Sequence, residues 1–153
     1  MRLAIITAAL CTLAATTPAI LQSQHTHAAV EPKWGPAPAI FPAGAQMAVM
    51  EGNPGGTGLF TVRLRFPDGY KIPPHTHPTD EHVTVIAGNF LVGLGPKFET
   101  KGMLSLTAGG FITAPANAAH YASAKGPTIV QVHAIGPFAM TYVNPADTPP
   151  AAR

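Results

Sequence analysis

The chain reads as an all-β protein, a barrel or sandwich of short antiparallel strands. Three observations point there. Its 17 prolines and 15 glycines are spread along 153 residues instead of gathering in a tail, which suits many short strands joined by tight turns. Its clearest apolar pattern has a period of two: Phe60, Val62, Leu64 and Phe66 alternate with Thr61, Arg63 and Arg65. Turn signals recur at short intervals, at Pro67-Asp68-Gly69, Gly109-Gly110, Gly126-Pro127 and Gly136-Pro137.

The elements follow in order. An apolar run from Leu3 to Ala15 follows Arg2 and gives way to small and polar residues. This is the layout of a secretory signal peptide, and the run is short for a membrane span. Residues 1–28 are therefore expected to be removed, with cleavage after Ala28 or Ala29 favoured over Ala19. The mature protein would be periplasmic or secreted. Cys11 would leave with the leader, so the mature chain would have no thiolate ligand and no disulfide. Residues 29–45 form a Pro-rich arm, extended rather than helical, with Trp34 and Phe41 as its anchors. The barrel is expected over 46–143. Its strands are placed at 46–51, 59–66, 81–87, 90–94, 103–107, 111–114, 120–124, 128–135 and 138–143, with a helical turn allowed at 97–101. Residues 144–153, rich in Pro and Ala, form a flexible C-terminal tail.

Charged residues make up 10% of the chain and apolar residues 46%, so a disordered chain is excluded. A formal charge of +2 with no Lys/Arg cluster gives no footprint for nucleic acid. With the leader removed, no membrane partner is expected. The low charge leaves sheet surface to cover, and a homodimer is expected.

The chemistry concentrates between Gly69 and Gly88. His75 and His77 are two residues apart, and Pro78-Thr79-Asp80 is turn chemistry leading to Glu81. Imidazole nitrogen and carboxylate oxygen converging on one point suit a divalent transition metal. Downstream stand Gly109, Pro115, Asn117 and His120.

Gly69, His75, His77, Glu81 and Gly88 fill every fixed position of the first motif of the cupin superfamily, which the chain resembles. Gly109, Pro115 and His120 match the second motif. Asn117 stands where the family usually has glycine, and Ala124 where it usually has asparagine. Asn tolerates left-handed backbone angles and can hold the same turn. The resemblance implies a single cupin jelly-roll β-barrel, a double-stranded β-helix. It also implies one divalent metal (Fe, Mn, Zn, Ni or Cu) on His75, His77, Glu81 and His120, with one or two coordination positions open.

Three residues are candidates for catalysis: Glu81 as ligand and proton acceptor, and His133 and Tyr121 as cavity groups that move protons. Strand alternation turns His82 away from Glu81, to the surface. Gln131 and His133 share one face of their strand, and Val130, Val132 and Ala134 the other; either face could meet the cavity. A structural tyrosine is the simpler reading of Tyr121, and a solvated sheet face that of Arg63 and Arg65. The expected function is a metal-binding cupin acting on or binding a small molecule, with oxygenase-like, isomerase or lyase chemistry open to it. The alternative is a non-catalytic module that binds or senses a metal or small ligand.

Overall fold

The computed structural model describes residues 31–150. The expected signal peptide and the last three residues of the tail lie outside the described residues. Eleven strands and one 3-10 turn follow one another: β1 (Gly35–Pro36), β2 (Gln46–Glu51), β3 (Leu59–Phe66), β4 (Lys71–Thr76), β5 (Glu81–Ala87), β6 (Asn89–Leu94), β7 (Leu104–Thr107), β8 (Phe111–Ala114), β9 (His120–Ala124), β10 (Thr128–Ile135) and β11 (Thr141–Tyr142), then the turn at Pro145–Asp147. Among the described residues, no helix is long and apolar enough to cross a membrane.

Two antiparallel sheets face each other. One has the order β1-β2-β3-β10-β5-β8 and the other β11-β4-β9-β6-β7. The β3 alternation does what its pattern requires. Phe60, Val62, Leu64 and Phe66 are buried between the sheets, and Thr61, Arg63 and Arg65 face outward. Val130 and Val132 of β10 and Val83 and Val85 of β5 extend the same core. Facing them, Phe90 and Val92 of β6 and Ala122 and Ala124 of β9 supply the other wall. Gly88 turns β5 into β6 at φ 82°, and a Cβ there would strike Pro127 O and Thr128. Only glycine meets both demands at once.

Three expectations change. The arm is not merely extended: β1 pairs with β2, and residues 37–45 form a loop beyond that pairing. Residues 97–101 hold no helix. The expected strand 138–143 shrinks to Thr141–Tyr142, because Phe138 and Met140 fold inward against the core instead of joining a ladder. The tail begins with the 3-10 turn, capped by Asn144, whose side chain accepts from Ala146 N–H at 3.2 Å.

Candidate metal centre

His75 lies near the end of β4 and His120 at the start of β9, and the two are direct cross-strand partners. A register irregularity between Ile72 and His75 follows from Pro73 and Pro74, which donate no ladder hydrogen bonds. His77 sits just past β4. Glu81 opens β5 on the other sheet and faces the three rings across the gap. Asp80 closes the corner by accepting Ala116 N–H at 2.8 Å, while Asn117, at φ 61°, donates its N–H to His77 O at 2.8 Å. The two sequence motifs thus meet through one side-chain-to-backbone and one backbone-to-backbone hydrogen bond, and Asn117 takes the left-handed angle expected of it.

The three imidazoles are buried and offer nitrogens within 4.8 Å of one another. Each Nδ1 meets a backbone carbonyl: His75 with Pro73 O at 2.7 Å, His77 with Ala139 O at 2.7 Å, and His120 with Ala118 O at 3.0 Å. A carbonyl only accepts, so each Nδ1 carries the proton and each Nε2 keeps its lone pair. The Nε2 atoms of His77 and His120 are buried with no hydrogen-bond partner. Glu81 Oε2 stands 3.6 Å from both, beyond a good hydrogen bond. Orphaned buried nitrogens in the right tautomer, beside a carboxylate, are the donor set a divalent metal fits.

The electrostatics agree. Burial, and then the neighbouring His120, pull His75 down to about 3, so it is neutral over the physiological range. Burial alone would raise Glu81, but the surrounding imidazoles, His120 foremost, hold its carboxyl below the ordinary range. Burial works against a charged His120, yet the Glu81 carboxylate outweighs it and raises the pKa.

His75, Glu81 and His120 line a cavity of about 30 Å³, and His77 completes the cluster beside it. The remaining walls are apolar, among them Leu64, Ile112, Val130 and Met140. The other two catalytic candidates are elsewhere. His133 is on the outer face of β10, with Nδ1 2.9 Å from Thr61 Oγ1 and Nε2 3.1 Å from the Gln131 amide nitrogen. It faces out because Val130, Val132 and Ala134 take the core side. Tyr121 is buried, but against the outer side of its sheet: it packs on Phe98 and donates to Glu99 O at 3.1 Å. Neither lines the cavity. His82 is also outside, 3.1 Å from Thr113 Oγ1. Arg63 and Arg65 hold Gln131 and Gln46 on that outer face, and Arg65 lies 4.5 Å over the Trp34 ring.

Sequence reasoning missed what backs the cluster. Phe138 stacks on His77 at 5.3 Å, and Phe41 of the arm stacks on Phe138 at 6.0 Å. Phe41 was read as an anchor; it also lines the cavity. The carbonyls of Pro73, Ala118 and Ala139 carry no side-chain signal from which they could have been found.

No protein-family model matches the chain, and no curated protein matches it in sequence. Solved structures do. The polyketide cyclase RemF of Streptomyces resistomycificus superposes with a TM-score of 0.63 at 16% identity, over 80% of this chain and 86% of that one. A putative acetylacetone dioxygenase of Methylibium petroleiphilum gives 0.60 at 23% identity, over 86% and 91%. An RmlC-like cupin of Shewanella frigidimarina gives 0.57 at 19%, over 74% and 91%. At these identities the likeness is one of fold, and the two facing sheets described above are, by architecture, a cupin jelly roll, the double-stranded β-helix.

Proposed function

We propose that the protein holds one divalent transition metal on His75, His77, His120 and Glu81 and uses it on a small molecule in oxygenase-like chemistry. The pair of buried, unpartnered Nε2 atoms carries this reading. An unsatisfied buried polar group costs about 1–3 kcal/mol, and a bound ion would remove that cost at both nitrogens. When bound, the metal would supply Lewis acidity and vacant positions for an oxygen-bearing ligand. The chain's own residues do the rest. The three backbone carbonyls fix ring orientation and tautomer. The apolar walls exclude water. Glu81 is the one carboxylate on the cavity wall among the described residues and is held ionised, so it is the proton acceptor. With His133 and Tyr121 facing away, Glu81 takes the acid–base part alone.

The structural likeness to a putative acetylacetone dioxygenase makes small carbonyl compounds the first substrates to screen. The test is metal content and oxygen consumption on one preparation, for wild type and Glu81→Gln. Full metal occupancy with turnover reduced about a hundred- to ten-thousand-fold in the variant is expected. Equal turnover in the two would end the acid–base role.

A second reading has its own observation. A cavity of about 30 Å³ has room for about two waters and is small for an organic substrate. That favours a non-catalytic metal-binding or sensing module. Fully metallated protein that consumes no oxygen with any screened diketone, phenol or sugar would decide for it. The exported homodimer expected from the sequence belongs to the same proposal. Leu59, Phe111 and Ile135 are exposed apolar residues of the six-stranded sheet that a second copy would cover. Light scattering and the intact mass of secreted protein test the two parts.

A further inference from the structure

One residue lining the cavity beside the histidines, Phe41, comes from a loop outside the barrel strands. Ala37 N–H donates to Ala45 O at 3.1 Å, directly beyond the β1–β2 ladder. Residues 38–44 therefore leave and return at one point, the form of a compact Ω-loop. Inside it, Phe41 N–H donates to Pro38 O at 2.9 Å. Phe41, 4% exposed, enters the barrel from the loop tip.

Two tyrosine hydroxyls latch that tip. Tyr142 donates to Ile40 O at 2.7 Å, and Tyr70 donates to Pro42 O at 2.6 Å. These carbonyls belong to the residues on either side of Phe41. Outside, the packing is loose. A groove of about 260 Å³ separates Ile40 from Thr148, and one of about 370 Å³ lies between Pro42-Ala43 and Pro149-Pro150. The loop thus has a fixed base, a tip held by two hydroxyl bonds and by the buried Phe41 ring, and space behind it.

The interior is selective by charge. Beyond Glu81 and the imidazoles, every side chain lining the cavity is apolar. Arg63 and Arg65, which could have neutralised an anion, are committed on the outer face. Away from the histidine cluster, a charged group would lose its hydration and find no partner in these apolar walls.

We propose that residues 38–44 are a hinged lid and that the molecule it admits is neutral and largely apolar, taking the space of the Phe41 ring beside the histidines. The proposal rests on the cluster being the working site, but it can be tested without metal. The lid would also resolve the cavity's small size: the closed state is small for an organic substrate, and withdrawal of Phe41 makes room.

The experiment uses metal-free protein, with benzene and benzoate as a neutral and charged pair of equal shape. Binding is read from the methyl resonances of Val130, Val132 and Ile112. Phe41→Ala vacates a phenyl-sized space, and benzene should bind it at least tenfold more tightly than wild type, while benzoate shifts nothing. Should that variant not fold, Phe41→Leu serves for the same comparison. Hydrogen exchange reads the hinge separately. In the double variant Tyr70→Phe/Tyr142→Phe, Phe41 N–H should exchange at least tenfold faster, and Ala37 N–H at the base should keep its wild-type rate. Benzoate binding as strongly as benzene would overturn the selectivity. Exchange unchanged at Phe41, or accelerated equally at Ala37, would overturn the lid. Zinc uptake by the same samples is scored apart: uptake without selectivity sinks this proposal alone, and selectivity without uptake sinks the metal reading alone.

Discussion

Glu81 and His82 are neighbours in the chain, as are His120 and Tyr121. In each pair the first residue faces the cavity and the second faces away. The same residue type has opposite fates on the two faces. Inside, a histidine gives Nδ1–H to a backbone carbonyl and points a bare Nε2 at its neighbours. Outside, His82 and His133 lie side by side in a row that runs from Thr61 to Thr113 across four strands, and their partners are hydroxyls and an amide. A hydroxyl donates or accepts and so leaves the tautomer free. A carbonyl does not. The difference between a histidine of the inner cluster and a surface one therefore lies in what holds the ring nitrogen that faces away from the site.

The largest effect should come from breaking the inner set. His120→Ala or His77→Ala removes a donor outright and is expected to weaken metal binding more than the roughly 10–100-fold typical of losing a supporting contact. His82→Ala and His133→Ala should leave occupancy at wild-type level. Elemental analysis after dialysis against a weak chelator measures both. Metal lost from His133→Ala but kept by His120→Ala would reverse the assignment of the two faces.

Much of this comparison was legible in the sequence. Strand alternation alone turned His82 away from Glu81. The spacing from Gly69 to Gly88 marked the two strands that bring His75, His77 and Glu81 together, and Asn117, a residue that tolerates left-handed angles, takes the turn expected of it at φ 61°. The limits have physical causes. For β10, alternation splits the residues into two faces but does not say which face meets the cavity, because a polar cavity and an apolar core are both stable destinations. Packing chose the apolar face and sent His133 outside. For Tyr121, alternation from His120 points outward, in line with the structural tyrosine that is the simpler reading of it. The Phe41 lid could not be found from pattern. An aromatic between prolines reads as an anchor, and only the partners of Tyr70 and Tyr142 show that its tip is latched.

The second effect is a pH dependence confined to the inner face. In metal-free protein His75 titrates near 3, against about 6.5 in an unfolded chain. Between those values the unfolded chain binds a proton that the folded one refuses, so stability falls as pH falls from 6.5 towards 3. Glu81, with a lowered pKa, acts in the same direction below about 4.5. His120, with a raised pKa, contributes stability that is fully present below 6.5 and lost as pH rises through its folded value. The expected slope from His75 is about 1 kcal/mol per pH unit. Urea midpoints in chelator across this range should show it, and His75→Ala should flatten it. A variant curve parallel to wild type would place the titrating group elsewhere.

The third effect falls on the outer side of the other sheet. Gly93 is the cross-strand partner of Tyr121, and a Cβ on it would run into the tyrosine ring. Gly93→Ala should cost about 1–3 kcal/mol by overpacking, read as a lowered urea midpoint, with metal content unchanged. Loss of metal in parallel with stability would show that the two sides of this sheet are coupled.

The smallest effect is the sharpest test of the comparison, because it concerns the residue next to a proposed ligand. Tyr121 follows His120 directly, but its hydroxyl donates to Glu99 O and its ring packs on Phe98, in the loop after β6. Tyr121→Phe keeps the ring in the slot over Gly93 and removes one partly buried hydrogen bond. The expected cost is about 0.5–1.5 kcal/mol of stability, since Glu99 O loses its donor. Metal affinity and turnover should match wild type, because no atom of the phenol reaches the cavity. A structural tyrosine moves the denaturation midpoint and nothing else. A proton-transferring one would leave stability alone and change the pH profile of turnover. Measuring both on one preparation separates the two outcomes, and a shifted rate profile at unchanged stability would bring Tyr121 back to the catalytic side of the strand.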